Sequence, residues 1–266
     1  MGSVGAKTPA LQDEFGGYFG ARGQQSLDER IQNLVDSSDR GQNLINPHYS
    51  EGGLYRTNCA LCATAVALEA RGYDVEAMPR DTTKDANGRD IGWRGLDSVF
   101  DVDYSNPDNY FTSGSRYRMS GVPSKTQIVN NSYNGAYSGR INDYEVPVAP
   151  RGASAVTKAI VDKVSKAGTS VWALNVKWKG APSAHVINVI NQNGRIYGYD
   201  AQSGMKIPQS SLLQYMKRTV AQRTSLVRLD NAPLREDRKD LDKMFKRRSA
   251  GGNKGSVAEQ LKRFGL

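Results

Sequence analysis

The sequence predicts an α+β fold in which helices come before an antiparallel sheet. Residues 59–71 are rich in Ala and Leu and reach their first charge at Glu69, a composition typical of a helix that is buried on most faces. Further along, three short runs rich in Val, Ile and aromatic residues follow one another closely, at 171–178, 185–190 and 195–200. Helical segments followed by closely spaced strands indicate an α+β domain.

Helix and turn signals flank these two features. Ser26 and Glu29 form a capping box, and the apolar residues that follow at helical spacing predict a helix that ends near residue 40. Residues 154–166 have apolar side chains on one helical face, with Gly168 just beyond them. The sequence Asn193-Gly194 lies between the second and third strand signals, so we predict a hairpin there.

The middle of the chain has a different composition. Residues 80–150 are rich in Asn, Ser, Gly and Asp, and six of the 13 Tyr fall between Tyr104 and Tyr144. Short strand candidates occur at 128–129 and 144–148, without a sustained period. Since structureless loops of this length are unusual inside a compact domain, we interpret the segment as an insertion lying over the core.

Charge is unevenly distributed along the 266 residues. The net charge is +9, and residues 217–266 contain 14 Lys and Arg against 6 Asp and Glu. We therefore divide the chain into an extended arm (1–25), a domain (26–230) and a basic tail with a short terminal helix (231–266). The basic tail predicts docking to a larger particle. Nucleic-acid binding through it is a weaker alternative, because acidic residues are interleaved with its basic ones.

The same composition narrows the cellular setting. No apolar run reaches the length of a membrane helix, and the N-terminus lacks a signal-peptide stretch. Two cysteines are too few for a disulfide scaffold. We therefore expect no membrane partner, and either a reducing cytoplasm or carriage in a virion or secretion particle to a target cell.

Three residues could together carry nucleophilic chemistry. Cys59 is predicted to open the Ala-rich helix, where unpaired N–H groups and the helix dipole stabilise a thiolate and a developing oxyanion. His185 begins the second strand and Asp200 ends the third. In an antiparallel pair these two positions are adjacent, so an imidazole and an orienting carboxylate would lie together.

Other interpretations of these residues remain open. A buried Cys, a structural His and a turn Asp are each common on their own. Cys59 and Cys62 form a C-x-x-C that could serve redox chemistry or, with His185 and Asp200, a zinc site, although neither has further support in the spacing. His48 is the second histidine of the chain, and we interpret it as a surface loop residue.

Several strings resemble the papain-fold polymorphic-toxin deamidases (Tox-PL, protein-glutamine deamidase-like). The resemblance rests on Asn46-Pro47, Asn58-Cys59-Ala60-Leu61-Cys62, Gly72-Tyr73-Asp74-Val75-Glu76-Ala77, Ser183-Ala184-His185 and Asp200-Ala201-Gln202-Ser203-Gly204. They lie within residues 45–80 and 168–230. The arm, the insertion and the tail are not covered.

The resemblance implies a papain-like fold and a glutamine deamidase that uses no cofactor or metal. Cys59 would be the nucleophile, His185 the general base and acid, and Asp200 the orienting carboxylate. Where a papain-type enzyme has a glutamine six residues before its cysteine, this chain has Gly53. The oxyanion donor is therefore open, with Asn58 and Gln202 as oxyanion or pocket candidates.

The implied substrate is a glutamine on a target protein, and the implied role is that of a toxin or effector. The same triad would also perform peptide hydrolysis, so a cysteine protease is an alternative. The resemblance extends to domains carried by phage head-associated proteins. A second alternative is therefore a virion- or particle-associated structural protein on a papain-like scaffold.

Overall fold

The computed structural model describes residues 26–88, 96–102, 106, 108–113, 152–235 and 241–248. The helices are α1 (Leu27–Asp39), α2 (Cys59–Ala70), α3 (Leu96–Val99), α4 (Ala153–Lys166), α5 (Gln209–Lys217) and α6 (Leu241–Met244). The strands are β1 (Val75–Ala77), β2 (Tyr110–Thr112), β3 (Ser170–Lys177), β4 (Ala184–Gln192), β5 (Arg195–Asp200), β6 (Met205–Pro208), β7 (Ser225–Arg228) and β8 (Phe245–Arg247). The α+β class predicted from the sequence is confirmed.

Helix α2 is the central element of the fold. All 12 of its residues are buried, as the run of small apolar side chains predicts. The chain leaves the helix through Gly72, whose φ of 96° lies in the left-handed region that favours glycine. The helix therefore fixes the position of its first residue, Cys59, from inside the core.

Helix α1 begins as its capping box predicts. The backbone N–H of Glu29 donates to the Ser26 hydroxyl, and the Glu29 carboxylate accepts from the Ser26 backbone N–H. The buried side chains of this helix include Ile31, Leu34 and Val35. Helix α1 thus packs its apolar face against α2.

The main sheet has six antiparallel strands in the order β2-β7-β3-β4-β5-β6. The three strands predicted from the sequence lie side by side at its centre as β3, β4 and β5. The predicted hairpin between β4 and β5 is confirmed, with positive φ at both Asn193 (51°) and Gly194 (86°). The register pairs Asn188 with Tyr199 and Gln192 with Arg195.

The sheet separates two hydrophobic cores. On one face, Val186 and Ile190 of β4 pack with α2 and with Val171 and Ala173 of β3. On the other face, alternate residues of the same strands pack against α4 and α5; they include Trp172, Leu174, Ile187 and Val189. Central strands buried on both faces read as continuous apolar runs rather than as a clean alternation, which accounts for the competing buried positions in β3.

Several elements were not predicted from the sequence. Strand β6 and helix α5 follow β5 closely, and β7 pairs with β3 from 48 residues further along the chain. Within the insertion, β2 pairs with β7. The strand candidates at 128–129 and 144–148 and the terminal helix at 256–264 lie outside the described residues.

Residues 241–248 contact the domain, although the sequence predicts them to be part of the basic tail. Strand β8 pairs with β1, and Arg248 forms ion pairs with Glu69 and with Asp74. The ion pair with Arg248 accounts for the buried carboxylate of Glu69, the one charged residue of helix α2. The division into arm, domain and tail stays a prediction. No helix in the described part of the chain is long and apolar enough to cross a membrane.

Candidate active site

Cys59 is the first residue of α2 and lies at the surface end of the core, with 7% of its area exposed. Asn58 occupies the N-cap position without a side-chain capping hydrogen bond to the helix. The first N–H groups of a helix have no partner within it. The Cys59 sulfur therefore lies where backbone donors and the positive end of the helix dipole favour negative charge.

His185 and Asp200 are brought together by the β4–β5 hairpin. The Nε2 atom of His185 lies 3.1 Å from Oδ2 of Asp200, and each residue is only 9% exposed. The other carboxylate oxygen, Oδ1, accepts from the backbone N–H of Gln202 at 3.2 Å and of Ser203 at 3.5 Å. Asp200 is thus held from both sides, and it fixes the plane of the imidazole.

Cys59 also acts electrostatically on the imidazole. Burial lowers the pKa of His185, but the hydrogen bond to Asp200 and the interactions with Cys59 and with the Asp200 charge outweigh burial and raise the pKa from 6.5 to about 10. Because Asp200 occupies Nε2, Nδ1 is the ring nitrogen left to exchange a proton. At neutral pH this imidazole is protonated, a state that stabilises a neighbouring thiolate.

Cys62 lies one helical turn below Cys59 in a different environment. It is fully buried, and its Sγ donates to Oδ1 of Asn58 at 3.3 Å. Burial, together with the charges of Cys59 and Asp200, raises the pKa of the Cys62 thiol well above its ordinary value. Cys62 is therefore held as a neutral thiol inside the core, away from the imidazole.

A network of side-chain amides lies behind the cysteine. Gln202 Nε2 donates to Oδ1 of Asn58 at 3.3 Å, and Asn58 Nδ2 donates to the carbonyl of Met78 at 3.0 Å. Asn46 Nδ2 donates to the carbonyls of Tyr55 and of Gln202 at 2.9 and 2.8 Å. The structure thus places both oxyanion or pocket candidates, Asn58 and Gln202, at the site, with their polar atoms hydrogen-bonded within the fold.

The sequence did not predict a functional role for the side chains of Asn43 and Asn46. Asn43 Nδ2 donates to the carbonyls of Ala201 and Gln202, both at 3.1 Å, and its Oδ1 accepts from the backbone N–H of Asn46 at 2.9 Å. These two asparagines tie the loop before Cys59 to the turn after Asp200. The Asn46-Pro47 motif was the available signal for this role.

Two aromatic residues that the sequence did not reveal cover the imidazole. The ring of Trp178, which follows β3, stacks on His185 with centroids 5.9 Å apart. Tyr215 of α5 meets Trp178 edge-on at 5.3 Å, and the Tyr215 hydroxyl is buried without a hydrogen-bond partner in the described part of the chain. Burial and the charges of Asp200 and Cys59 raise the pKa of this phenol.

His48 lies in a loop apart from this arrangement. Its Nδ1 contacts Oε1 of Glu51 at 2.6 Å and its Nε2 lies 3.9 Å from Oε1 of Glu76, so both ring nitrogens face carboxylates. As for the zinc interpretation, no group of three or more His, Cys, Asp or Glu side chains arranged to hold a metal occurs among the described residues.

Comparisons with known proteins point to one family. The chain gave no match among curated proteins or among solved structures. A family model described as papain fold toxin 1, glutamine deamidase, matches residues 57–205, which is more than half of the chain and includes Cys59, His185 and Asp200. The resemblance read from the sequence is confirmed, and with it the papain-like fold: the chain belongs to the papain-fold toxin 1 family of glutamine deamidases.

Proposed function

We propose that this protein is a thiol-dependent hydrolase that converts a glutamine of a target protein to glutamate. The observation that carries the proposal is one continuous arrangement. Cys59 lies at the N-terminus of a buried helix and interacts electrostatically with His185, whose Nε2 lies 3.1 Å from Oδ2 of Asp200. A nucleophile, a proton carrier and an orienting carboxylate in this order are the parts that acyl transfer requires.

In the first half of the reaction, the Cys59 thiolate attacks the carbon of the glutamine side-chain carboxamide. The tetrahedral intermediate carries its negative charge on oxygen, and Nδ1 of His185 donates a proton to the nitrogen. Ammonia leaves as the carbon–nitrogen bond breaks, and a thioester to Cys59 remains. The proton thus comes from the imidazolium that the Asp200 charge maintains.

In the second half, water replaces ammonia at the same position. His185, now neutral, accepts a proton from the water, whose oxygen attacks the thioester carbon. The carbon–sulfur bond breaks, the product leaves as glutamate, and the Cys59 thiolate and the imidazolium are restored. Asp200 keeps the ring in one orientation through both halves.

The negative oxygen of each intermediate requires donors. We propose that backbone N–H groups in the first turn of α2 supply them, because these groups have no partner within the helix. The amide hydrogens of Asn58 face the Met78 carbonyl and, at 3.5 Å, Oδ1 of Asn46. As an oxyanion donor, Asn58 would have to give up one of these bonds, so we assign it to holding the start of the helix.

The biological consequence would be to disable the target. Replacing a neutral amide by a carboxylate changes the charge of a protein surface, and a toxin or effector can inactivate a partner in this way. Delivery in a virion or secretion particle, with docking through residues 231–266, is part of this proposal. The supporting observations are the family and the basic composition of that segment.

The test compares wild type with Cys59→Ala and Cys62→Ala on candidate target proteins. Ammonia release is measured together with intact mass, since deamidation raises the mass by about 1 Da while the polypeptide stays whole. We expect activity to vanish in Cys59→Ala and to persist in Cys62→Ala. Loss of activity in Cys62→Ala alone would overturn the assignment, and cleavage of the target without ammonia release would identify a protease.

A further inference from the structure

The net positive charge of this chain is concentrated in the segment that carries His185 and Asp200, because that segment has very few acidic residues. Residues 163–229 contain ten Lys and Arg and one acidic residue, Asp200, so their net charge of +9 equals that of the whole chain. Residues 230–266 contain ten basic and six acidic residues. The excess therefore belongs to the segment that forms β3 to β7 more than to the C-terminal tail, and the single carboxylate of that segment is the one that orients His185.

Four of these cations form a basic rim beside the imidazole: Lys177, Lys179, Lys217 and Arg218. Lys177 pairs in the sheet with Ala184, the residue before His185. The backbone N–H of Lys179 donates to the Arg218 carbonyl at 3.0 Å, and Lys179 Nζ donates to the Lys217 carbonyl at 2.8 Å. The end of β3 and the end of α5 are thus joined at the same edge of the site.

Trp178 connects the basic rim to the reacting groups. The guanidinium carbon of Arg218 lies 5.3 Å from the centroid of the Trp178 ring, and the same ring stacks on His185. Arg218 and His185 therefore contact the same indole. A molecule that reaches the Cys59–His185 pair from this side must pass the positive charges of the basic rim.

These charges have no acidic partner within the described residues. Lys179, Lys217 and Arg218 are exposed, and no described carboxylate lies within ion-pair distance of any of the four. Two other cations of the same segment are paired with carboxylates, Arg228 with Asp230 at 2.9 Å and Lys206 with Asp39 at 3.5 Å. Like charges grouped without counter-charges attract anionic ligands over about one Debye length, roughly 10 Å at 0.1 M salt.

We propose that the basic rim docks an acidic surface of the target protein, so that the substrate is a glutamine flanked by Asp and Glu. This rests on the proposed function and names the class of substrate that the site takes. A protein is favoured over a nucleic acid because the rim adjoins the reacting pair, so that its ligand is the molecule that carries the carboxamide. Complementary charge at such a rim raises the association rate and selects the partner.

Binding to a full-length protein carrying Cys59→Ala tests this without relying on turnover. Two labelled peptides of equal length are titrated by fluorescence anisotropy, one with its glutamine among Glu and Asp and one with its glutamine among Ser and Gly. At about 50 mM salt we expect the acidic peptide to bind at least about tenfold more tightly, and we expect most of that advantage to disappear at about 300 mM salt.

Matched charge reversals locate the interaction. Lys179→Glu with Lys217→Glu should weaken binding of the acidic peptide about tenfold. Lys166→Glu with Arg195→Glu makes the same charge change at the opposite end of the sheet, where Arg195 pairs with Gln192, and should alter binding less than about twofold. Circular dichroism and the melting temperature confirm that both double variants are folded.

Three results would overturn the proposal. The first is equal binding of the two peptides, and the second is equal weakening of binding by the two double variants. The third is a DNA duplex of about 12 base pairs that binds more tightly than the acidic peptide and depends in the same way on Lys179 and Lys217, which would make the basic rim a nucleic-acid surface. Since neither readout uses catalysis, a protein that binds as expected but releases no ammonia would contradict the proposed function alone.

Discussion

His185 Nε2 and Asp200 Oδ2 lie 3.1 Å apart although the two residues are separated by 15 positions in the chain. The hairpin at Asn193-Gly194 brings them together, because His185 lies near the start of β4 and Asp200 is the last residue of β5. With Nε2 held by the carboxylate, Nδ1 is the ring nitrogen left to exchange a proton. In the proposed reaction, this relationship makes Nδ1 the atom of the imidazole that handles the proton.

Asp200→Asn should lower kcat by about 10²- to 10⁴-fold while the protein remains folded. The amide keeps the shape of the carboxylate and can still accept from the N–H groups of Gln202 and Ser203. It removes the negative charge that sustains the imidazolium, so less proton is available for the leaving ammonia. Steady-state kinetics on a glutamine peptide measure the effect. Asp39→Asn, which changes an exposed aspartate that pairs with Lys206, should retain activity within about twofold.

The raised pKa of His185 predicts a pH-dependent term in stability. A pKa of about 10 in the folded protein, against 6.5 ordinarily, means that folding favours the protonated ring. This stabilisation is fully present below about pH 6.5 and is lost as the pH rises through about 10. The free energy of unfolding of wild type minus that of His185→Gln should therefore decrease between these limits, as measured by urea denaturation. A difference that stays flat over this range would show that His185 is not paired with Asp200 and Cys59 in the folded protein.

Local signals were sufficient to predict the elements that carry Cys59, His185 and Asp200. The Ala-rich composition predicted α2, and the Asn193-Gly194 turn fixed the register that pairs β4 with β5. Cys59, His185 and Asp200 each occupy an end of one of these elements, so element boundaries alone were enough to nominate them. The family strings then joined the cysteine to the other two, a long-range relationship that no local pattern contains.

The surroundings of the triad depend on contacts between segments distant in sequence. Trp178 covers His185 only because the end of β3 lies beside the start of β4. Tyr215 contacts Trp178 from helix α5, whose sequence is less apolar than that of α2 and was not predicted as a helix. The position of the excess positive charge also depends on such contacts. Counted along the sequence, the excess of basic residues lies in residues 217–266. In the fold, Lys177, Lys179, Lys217 and Arg218 come together at one edge of the site.

Asn46→Ala should destabilise the protein by about 1–3 kcal/mol, because the Tyr55 carbonyl loses its amide donor and the Gln202 carbonyl loses one of its two, the other being Asn43. Since those bonds tie the loop before Cys59 to the turn after Asp200, kcat should fall as well. Urea denaturation gives the stability change. Asn231→Ala removes an exposed asparagine that donates to Asn109 and should change stability by less than about 0.5 kcal/mol. Similar values for the two variants would contradict a bridging role for Asn46.

Tyr215→Phe should separate stability from activity. The phenyl ring keeps its edge-on contact with Trp178, and the change deletes a buried hydroxyl that no described residue satisfies. An unsatisfied buried hydroxyl costs free energy, so the variant should be as stable as wild type or more stable by up to about 1 kcal/mol. Because Tyr215 packs against Trp178, the ring that stacks on His185, we expect its hydroxyl to contact the reacting carboxamide and kcat to fall about tenfold without it. Thermal unfolding and steady-state kinetics together decide the point: a less stable variant with unchanged kcat would show that the hydroxyl serves only the fold.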